Sequence, residues 1–180
     1  MLTIKPNNAL LLIVDVQEKL VNMLTDSRVK DNAVIVAKAC GKLDIPCVIT
    51  EQYPKGLGQT IEEIKTALPD AAYFEKKSFS AMLTDGFEDL LQKYNKKQII
   101  IMGIETHICV LQTAFDLLEN RYDVFVVENA CGSRNADDKK SALKRLSFAH
   151  AQVLTTEMVL FELLTTSQNP KFKEVQALIK

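Results

Sequence analysis

An acid, an amine and a thiol occupy comparable places along this sequence. Asp15 closes the apolar run "ALLLIVD", Lys76 closes "AAYFEK", and Cys109 follows "KQIIIMG" by a few residues. Together they make a coherent chemical set. A thiol attacks as its thiolate; a carboxylate can take the thiol proton, and a neighbouring ammonium stabilises the anion. Cys109 also falls in the first turn of a helical pattern, "THICVLQTAFDLLEN", where the helix terminus adds roughly 0.3–1 kcal/mol for a negative charge. Each residue has a plainer reading as well. Asp15 could be a turn residue, Lys76 a solvated charge beside Lys77, and Cys109 a core thiol. On α-helical spacing Cys109 shares a face with Gln112, Thr113 and Asp116, whereas the fuller apolar stripe is Leu111, Ala114, Phe115 and Leu118. His107 invites a role as base, but residues two apart on a helix do not face each other. Cys40 and Cys47 sit in core patterns and read as structural.

The elements that must position these groups alternate. Strand-like segments are read at 9–15, 45–50, 71–76, 97–103, 122–128 and 151–156. Helical patterns cover 28–43, 85–95, 106–120, 136–150 and 157–164, with a short helix after Thr60. Thr60 with Glu63 has capping-box spacing. The runs "LLLIV" and "IIIM" lack polar alternation, as expected of strands covered on both faces. Strands separated by helices imply parallel pairing through right-handed crossovers. The prediction is an α/β, three-layer α/β/α fold with a six-stranded, mainly parallel, Rossmann-like sheet, built as one domain over 1–180. In such sheets ligands bind beyond the carboxyl ends of the strands, which is where Asp15, Lys76 and Cys109 fall. Glu51, Gln52, Asn129 and Cys131 follow other strands.

Composition narrows the classes. The 180 residues carry a net charge of −1, with acids and bases mixed. No basic stripe points to nucleic acid. No apolar run is long enough to span a bilayer, so no membrane partner is expected. No secretory signal is evident, which places the expected location in the cytoplasm with reduced thiols. Four dispersed cysteines and two histidines make neither a disulfide framework nor a zinc site.

The motifs resemble those of the isochorismatase-like cysteine hydrolases. "LLIVDVQ" is similar to the family's first motif. "KKSFSAM" is similar to the motif in which a lysine stands four residues before the serine of an aromatic-Ser-small triplet, which selects Lys76 over Lys77. "GIETHICVLQTAFD" is similar to the nucleophile motif. The resemblance implies Cys109 as nucleophile, Asp15 as general base and Lys76 as the group that stabilises the thiolate. It also implies a cis peptide between Ile104 and Glu105, with the amides of Glu105 and Cys109 forming an oxyanion hole. Gln17, Gln52, Tyr53 and Phe79 are expected to line the substrate pocket. Nicotinamidases of the family carry an Asp-x-His metal motif after the second strand; here "EQYPKGLG" stands in its place, so neither metal nor cofactor is expected. Retention of the cysteine favours acyl chemistry on a small amide-like C–N bond through a thioester. The alternatives are a non-catalytic scaffold or interaction protein on the same fold, or a redox-sensing thiol. An enzyme should bring Asp15 and Lys76 within hydrogen-bonding reach of Cys109, beside a closed cavity. The resemblance also implies a homo-oligomer. The tail "KFKEVQALIK" reads as a short helix whose apolar stripe, Phe172, Val175 and Leu178 or Ile179, must lie against its own domain or a neighbouring subunit.

Overall fold

The computed structural model describes residues 2–180. The strands are β1 (Ala9–Val14), β2 (Cys47–Gln52), β3 (Ala72–Lys76), β4 (Gln98–Ile104), β5 (Asp123–Gly132) and β6 (Gln152–Leu154). They form one sheet in the order β3-β2-β1-β4-β5-β6, and every pairing is parallel. The helices are α1 (Glu18–Val21), α2 (Arg28–Lys42), α3 (Pro54–Leu57), α4 (Glu62–Ala67), α5 (Phe87–Tyr94), α6 (Leu111–Glu119), α7 (Ala136–Phe148), α8 (Thr156–Leu164) and α9 (Phe172–Gln176).

The topology follows from handedness. From β1 the chain winds outward through β2 to β3, then returns to β4 and winds the other way through β5 to β6. Right-handed crossovers then put α2 and α4 on one face and α5, α6 and α7 on the other. α8 and α9 pack back against α2. All six residues of β1 and all seven of β4 are buried, which explains why their sequences show no polar alternation. The strand order reverses between β1 and β4. That makes their carboxyl ends the topological switch point, where a crevice opens in sheets of this kind.

Several boundaries differ from the sequence expectation. β2 runs two residues further than read, which carries Glu51 and Gln52 into the sheet. β5 extends to Gly132 because its register against β4 slips between Ile101 and Gly103. Asn129 and Cys131 therefore lie within β5 rather than after it. The Asn129 side chain accepts from the Thr156 amide and hydroxyl, and its carbonyl accepts from Asn32. Thr60 does not cap α4: it donates to Glu51 Oε1 at 2.8 Å through its hydroxyl and at 2.7 Å through its amide. A buried carboxylate needs donors more than an exposed helix end does.

The tail folds back on its own chain. Val175 is fully buried, Phe172 meets Phe161 edge to face, and Lys42 pairs with Glu174. The expected ten-residue helix is shorter, with a tight turn over Ala177–Ile179. No helix among the described residues is long and apolar enough to cross a membrane.

Candidate active site

Asp15 follows β1 in a left-handed backbone conformation, φ 52°. It leaves the strand by a sharp turn, and its side chain is wholly buried. Both carboxylate oxygens have donors. Thr50 gives its hydroxyl to Oδ1 at 2.7 Å, and Lys76 gives its ammonium to Oδ2 at 2.7 Å. Neither partner of the Asp15–Lys76 ion pair has any exposed side-chain surface. A buried pair survives only when its remaining hydrogen-bonding capacity is met. Here Lys76 Nζ also reaches Gln52 Oε1 at 2.7 Å and the carbonyls of Ser78 and Phe79 at 3.2 and 3.1 Å. Lys77, by contrast, is exposed.

The loop after β3 is anchored from α6. Ser80 donates to Asp116 Oδ2, and the Ala81 amide donates to Thr113 Oγ1 at 3.0 Å. The polar side of α6 thus holds the loop whose carbonyls cradle Lys76. The sequence pattern reveals that polar side but not what it touches.

Cys109 lies in a π-helical turn, Thr106–Val110. The Val110 amide reaches back five residues to the Glu105 carbonyl at 3.2 Å. The α-helix expected from 106 is therefore incorrect in its first turn. Such wide turns are common at functional sites. The peptide bond between Ile104 and Glu105 is cis. The Glu105 carboxylate faces Arg134, accepting from its amide at 2.9 Å and from Nε at 3.1 Å. His107 is turned away, with Nδ1 at 2.9 Å from the Ser133 hydroxyl. Thr106 Oγ1, in the same turn, is buried without a hydrogen-bond partner.

The pKa of the Cys109 thiol is pushed up to about 12. Burial is the main cause, and the Asp15 charge adds to it. The Lys76 charge opposes both. At rest the sulfur is thus a protonated thiol beside a preformed ion pair.

Strand β1 can come this close to β4 because of Gly103. Its φ is +141°, and a Cβ there would lie 1.9 Å from the Val14 carbonyl oxygen. The same register sets Val14 opposite Gly103, one residue before Asp15.

The expected pocket residues divide. Gln17 is fully buried, and its amide is committed to main chain: Nε2 to the carbonyls of Gln52 (3.1 Å) and Gly58 (2.6 Å), Oε1 to the Gln52 amide (2.8 Å). Gln52 faces Lys76. Tyr53 and Phe79 are more than half exposed, as is Leu83. A cleft of about 610 Å³ is lined by Tyr53, Lys55, Lys76, Ser78, Leu83 and Asp85 among others. Lys76 forms part of its wall, and neither Asp15 nor Cys109 lines it. Among the described residues no group of three or more His, Cys, Asp or Glu could hold a metal ion.

Comparison with known proteins adds three kinds of match. The Isochorismatase domain description matches residues 9–158. Isochorismatase domain-containing protein 2 of Xenopus laevis is 41% identical over 174 residues, covering 96% of this chain and 83% of that protein. Among solved structures, one from Caenorhabditis elegans described as MAR1 ribonuclease superposes with a TM-score of 0.92 at 39% identity, over 98% of this chain and 92% of that one. The YcaC gene product of Escherichia coli, described as an octameric hydrolase of unknown specificity, superposes with a TM-score of 0.94 at 29% identity, over 99% and 90%.

Proposed function

The chain belongs to the isochorismatase family, and we propose that it is a cysteine-dependent hydrolase of small amide-like substrates. Cys109 is the nucleophile, Asp15 the general base and Lys76 the fixed cation. The observation that carries this reading is the fully buried ion pair, Lys76 Nζ to Asp15 Oδ2 at 2.7 Å, whose two charges both act on the Cys109 thiol. A structural thiol has no use for a desolvated acid and base at its side, and burying such a pair is costly.

The raised thiol dictates the order of events. Asp15 takes the Cys109 proton as the sulfur attacks the carbonyl carbon, since little thiolate stands ready beforehand. Lys76 then faces the growing negative charge without moving. The carbonyl electrons pass to oxygen, which the Glu105 and Cys109 amides receive. As the tetrahedral intermediate collapses, the C–N bond breaks and the amine leaves with the proton held by Asp15. Water next attacks the thioester and gives its proton to Asp15. The acid is released, and the proton returns to sulfur.

The ribonuclease description of the C. elegans protein suggests a different chemistry. Phosphodiester cleavage calls for cations aimed at phosphate, whereas Lys76 is surrounded by Asp15, Gln52 and two carbonyls. That favours the amide reading. We also take the chain to be a homo-oligomer, supported by the exposed apolar rim at Tyr53, Phe79 and Leu83 and by the octameric E. coli relative.

The test is a panel of small primary amides and carbamoyl compounds, with an RNA oligonucleotide alongside. Ammonia release is followed with the wild type and with Cys109→Ala. Turnover of an amide that disappears in the variant, with an acyl adduct on the Cys109 peptide by mass spectrometry, supports the proposal. RNA cleavage that survives Cys109→Ala, with no amide turned over, sinks it. Light scattering settles the assembly: a monomer at high concentration ends that part of the reading.

A further inference from the structure

Among the polar groups gathered at the switch point, Gln52 is assigned no chemistry by the reaction just described, and it touches the site in a specific way. Its Cα is in register with that of Lys76 across the β2–β3 pair, so the two side chains leave the sheet on the same side. Gln52 Oε1 stands 2.7 Å from Lys76 Nζ, as short as the contact Lys76 makes to Asp15. The orientation of the Gln52 amide is not arbitrary. An ammonium only donates, so Oε1 must face Lys76 while Nε2 donates to the Lys77 carbonyl at 2.8 Å. The main chain of Gln52 is held in turn by both ends of the buried Gln17 amide. A buried glutamine thus fixes a second glutamine, which fixes the lysine.

An ammonium has three protons on a flexible four-carbon stem. Two are directed by the short contacts to Asp15 and Gln52. The third is left to the carbonyls of Ser78 and Phe79, at the longer distances of 3.2 and 3.1 Å. Those long contacts are the ones a developing thiolate can displace. Without Gln52 the ammonium settles among Asp15 and the two carbonyls and turns from the sulfur. A carboxylate at position 52 would hold it more tightly still and draw its field away from Cys109. The neutral amide serves the site because it aims the lysine without cancelling its charge.

We infer that Gln52 is the positioning residue of this site, acting through Lys76 to keep the ammonium aimed at the sulfur of Cys109. The inference rests on the nucleophile reading above. The ionisable groups facing the sulfur are Asp15 from the end of β1 and Lys76 from β3; the Glu105 side chain is engaged by Arg134 and that of His107 by Ser133.

Two variants test it in the full chain: Gln52→Met, which keeps length and removes the acceptor, and Gln52→Glu, which keeps the acceptor and adds charge. The measurement is the rate of iodoacetamide labelling of each cysteine between pH 7 and 9, resolved by peptide mass mapping. Both variants should label Cys109 about tenfold more slowly at a given pH, the change that one unit in a thiol pKa produces, and should leave Cys40, Cys47 and Cys131 unchanged. A merely structural role moves the other way, since a loosened fold labels the buried thiols faster. Cys109 labelled at the wild-type rate in both variants, or faster together with the other three, overturns the inference. If Gln52→Met alone loosens the fold, Gln52→Glu decides. A different failure marks the premise: in the wild type, Cys40, Cys47 or Cys131 labelled before Cys109 overturns the nucleophile reading and the inference with it.

Discussion

Cys109 and the other three cysteines are alike in titration and unlike in company. Cys47 and Cys131 are pushed up to about 12, and Cys40 well above its ordinary value, chiefly by burial. Cys109 stands at about 12 as well. Its distinction is the wholly buried Asp15–Lys76 ion pair beside it; the charges that act on Cys131, Lys139 and Glu128, are only half-buried. Burial alone makes an inert thiol; burial beside a base and a cation makes one that can lose its proton at the moment of need. The resting proton affinity of a thiol therefore does not identify a nucleophile, whereas its neighbours do.

The sharpest way to break this comparison is to exchange the thiols one at a time. Cys109→Ala should lower amide turnover by about 10⁴-fold or more, the scale on which loss of a covalent nucleophile acts. Cys40→Ala and Cys131→Ala should leave kcat/KM unchanged, as read by ammonia release. Equal losses in all three would mean that the distinction between these thiols is empty.

Next comes the ion pair. Lys76→Met leaves the Asp15 carboxylate buried with one charged partner missing and should cost about 3–5 kcal/mol in urea unfolding. Lys77→Ala, on the exposed neighbour, should stay within about 0.5 kcal/mol. Thr50→Val removes the donor to Asp15 Oδ1 but keeps the shape, and should cost about 1.5–3 kcal/mol, the range for hydrogen bonds to a charged group.

The smallest effect at neutral pH, where it vanishes, is the pH dependence of the buried thiols. A thiol whose folded value lies near 12 keeps its proton where the unfolded chain has lost it. The unfolded state then binds fewer protons, so stability falls as pH rises from near 9 towards 12, by about 1.4 kcal/mol per unit for each such thiol. Cys131→Ala and Cys109→Ala should each flatten that decline by about the same amount. A markedly smaller change for Cys109 would mean that Lys76 outweighs burial at that sulfur.

Much of this is legible in the sequence because strand ends are. Asp15 stops a buried apolar run and Lys76 ends the edge strand β3, and the parallel α/β rule says where such strand ends converge. The family motif, with its lysine four residues before the serine, separates Lys76 from Lys77. Thr50 escapes notice although it ends the apolar run "PCVIT", because its importance depends on Val14 and Thr50 being in register, a relation between strands. The π turn is invisible for a similar reason: nothing in "THICV" distinguishes a five-residue return from a four-residue one, and the difference is set by how the turn meets β4. The contact of Gln52 with Lys76 is hidden when β2 is ended two residues early, because that puts a sheet residue in a loop.

Gly103 carries one last consequence. The distance between the acid's strand and the strand leading to the thiol is limited by a side chain that is not there. Any substituent at position 103 would push the Val14 carbonyl outward, and Asp15, as the next residue along, would travel with it. On the proposed mechanism, in which a proton crosses from sulfur to carboxylate, that makes one hydrogen atom in place of a methyl group the gauge of the reaction. Sequence drift at that position would be felt first in rate, through a pair of groups that the altered residue never touches.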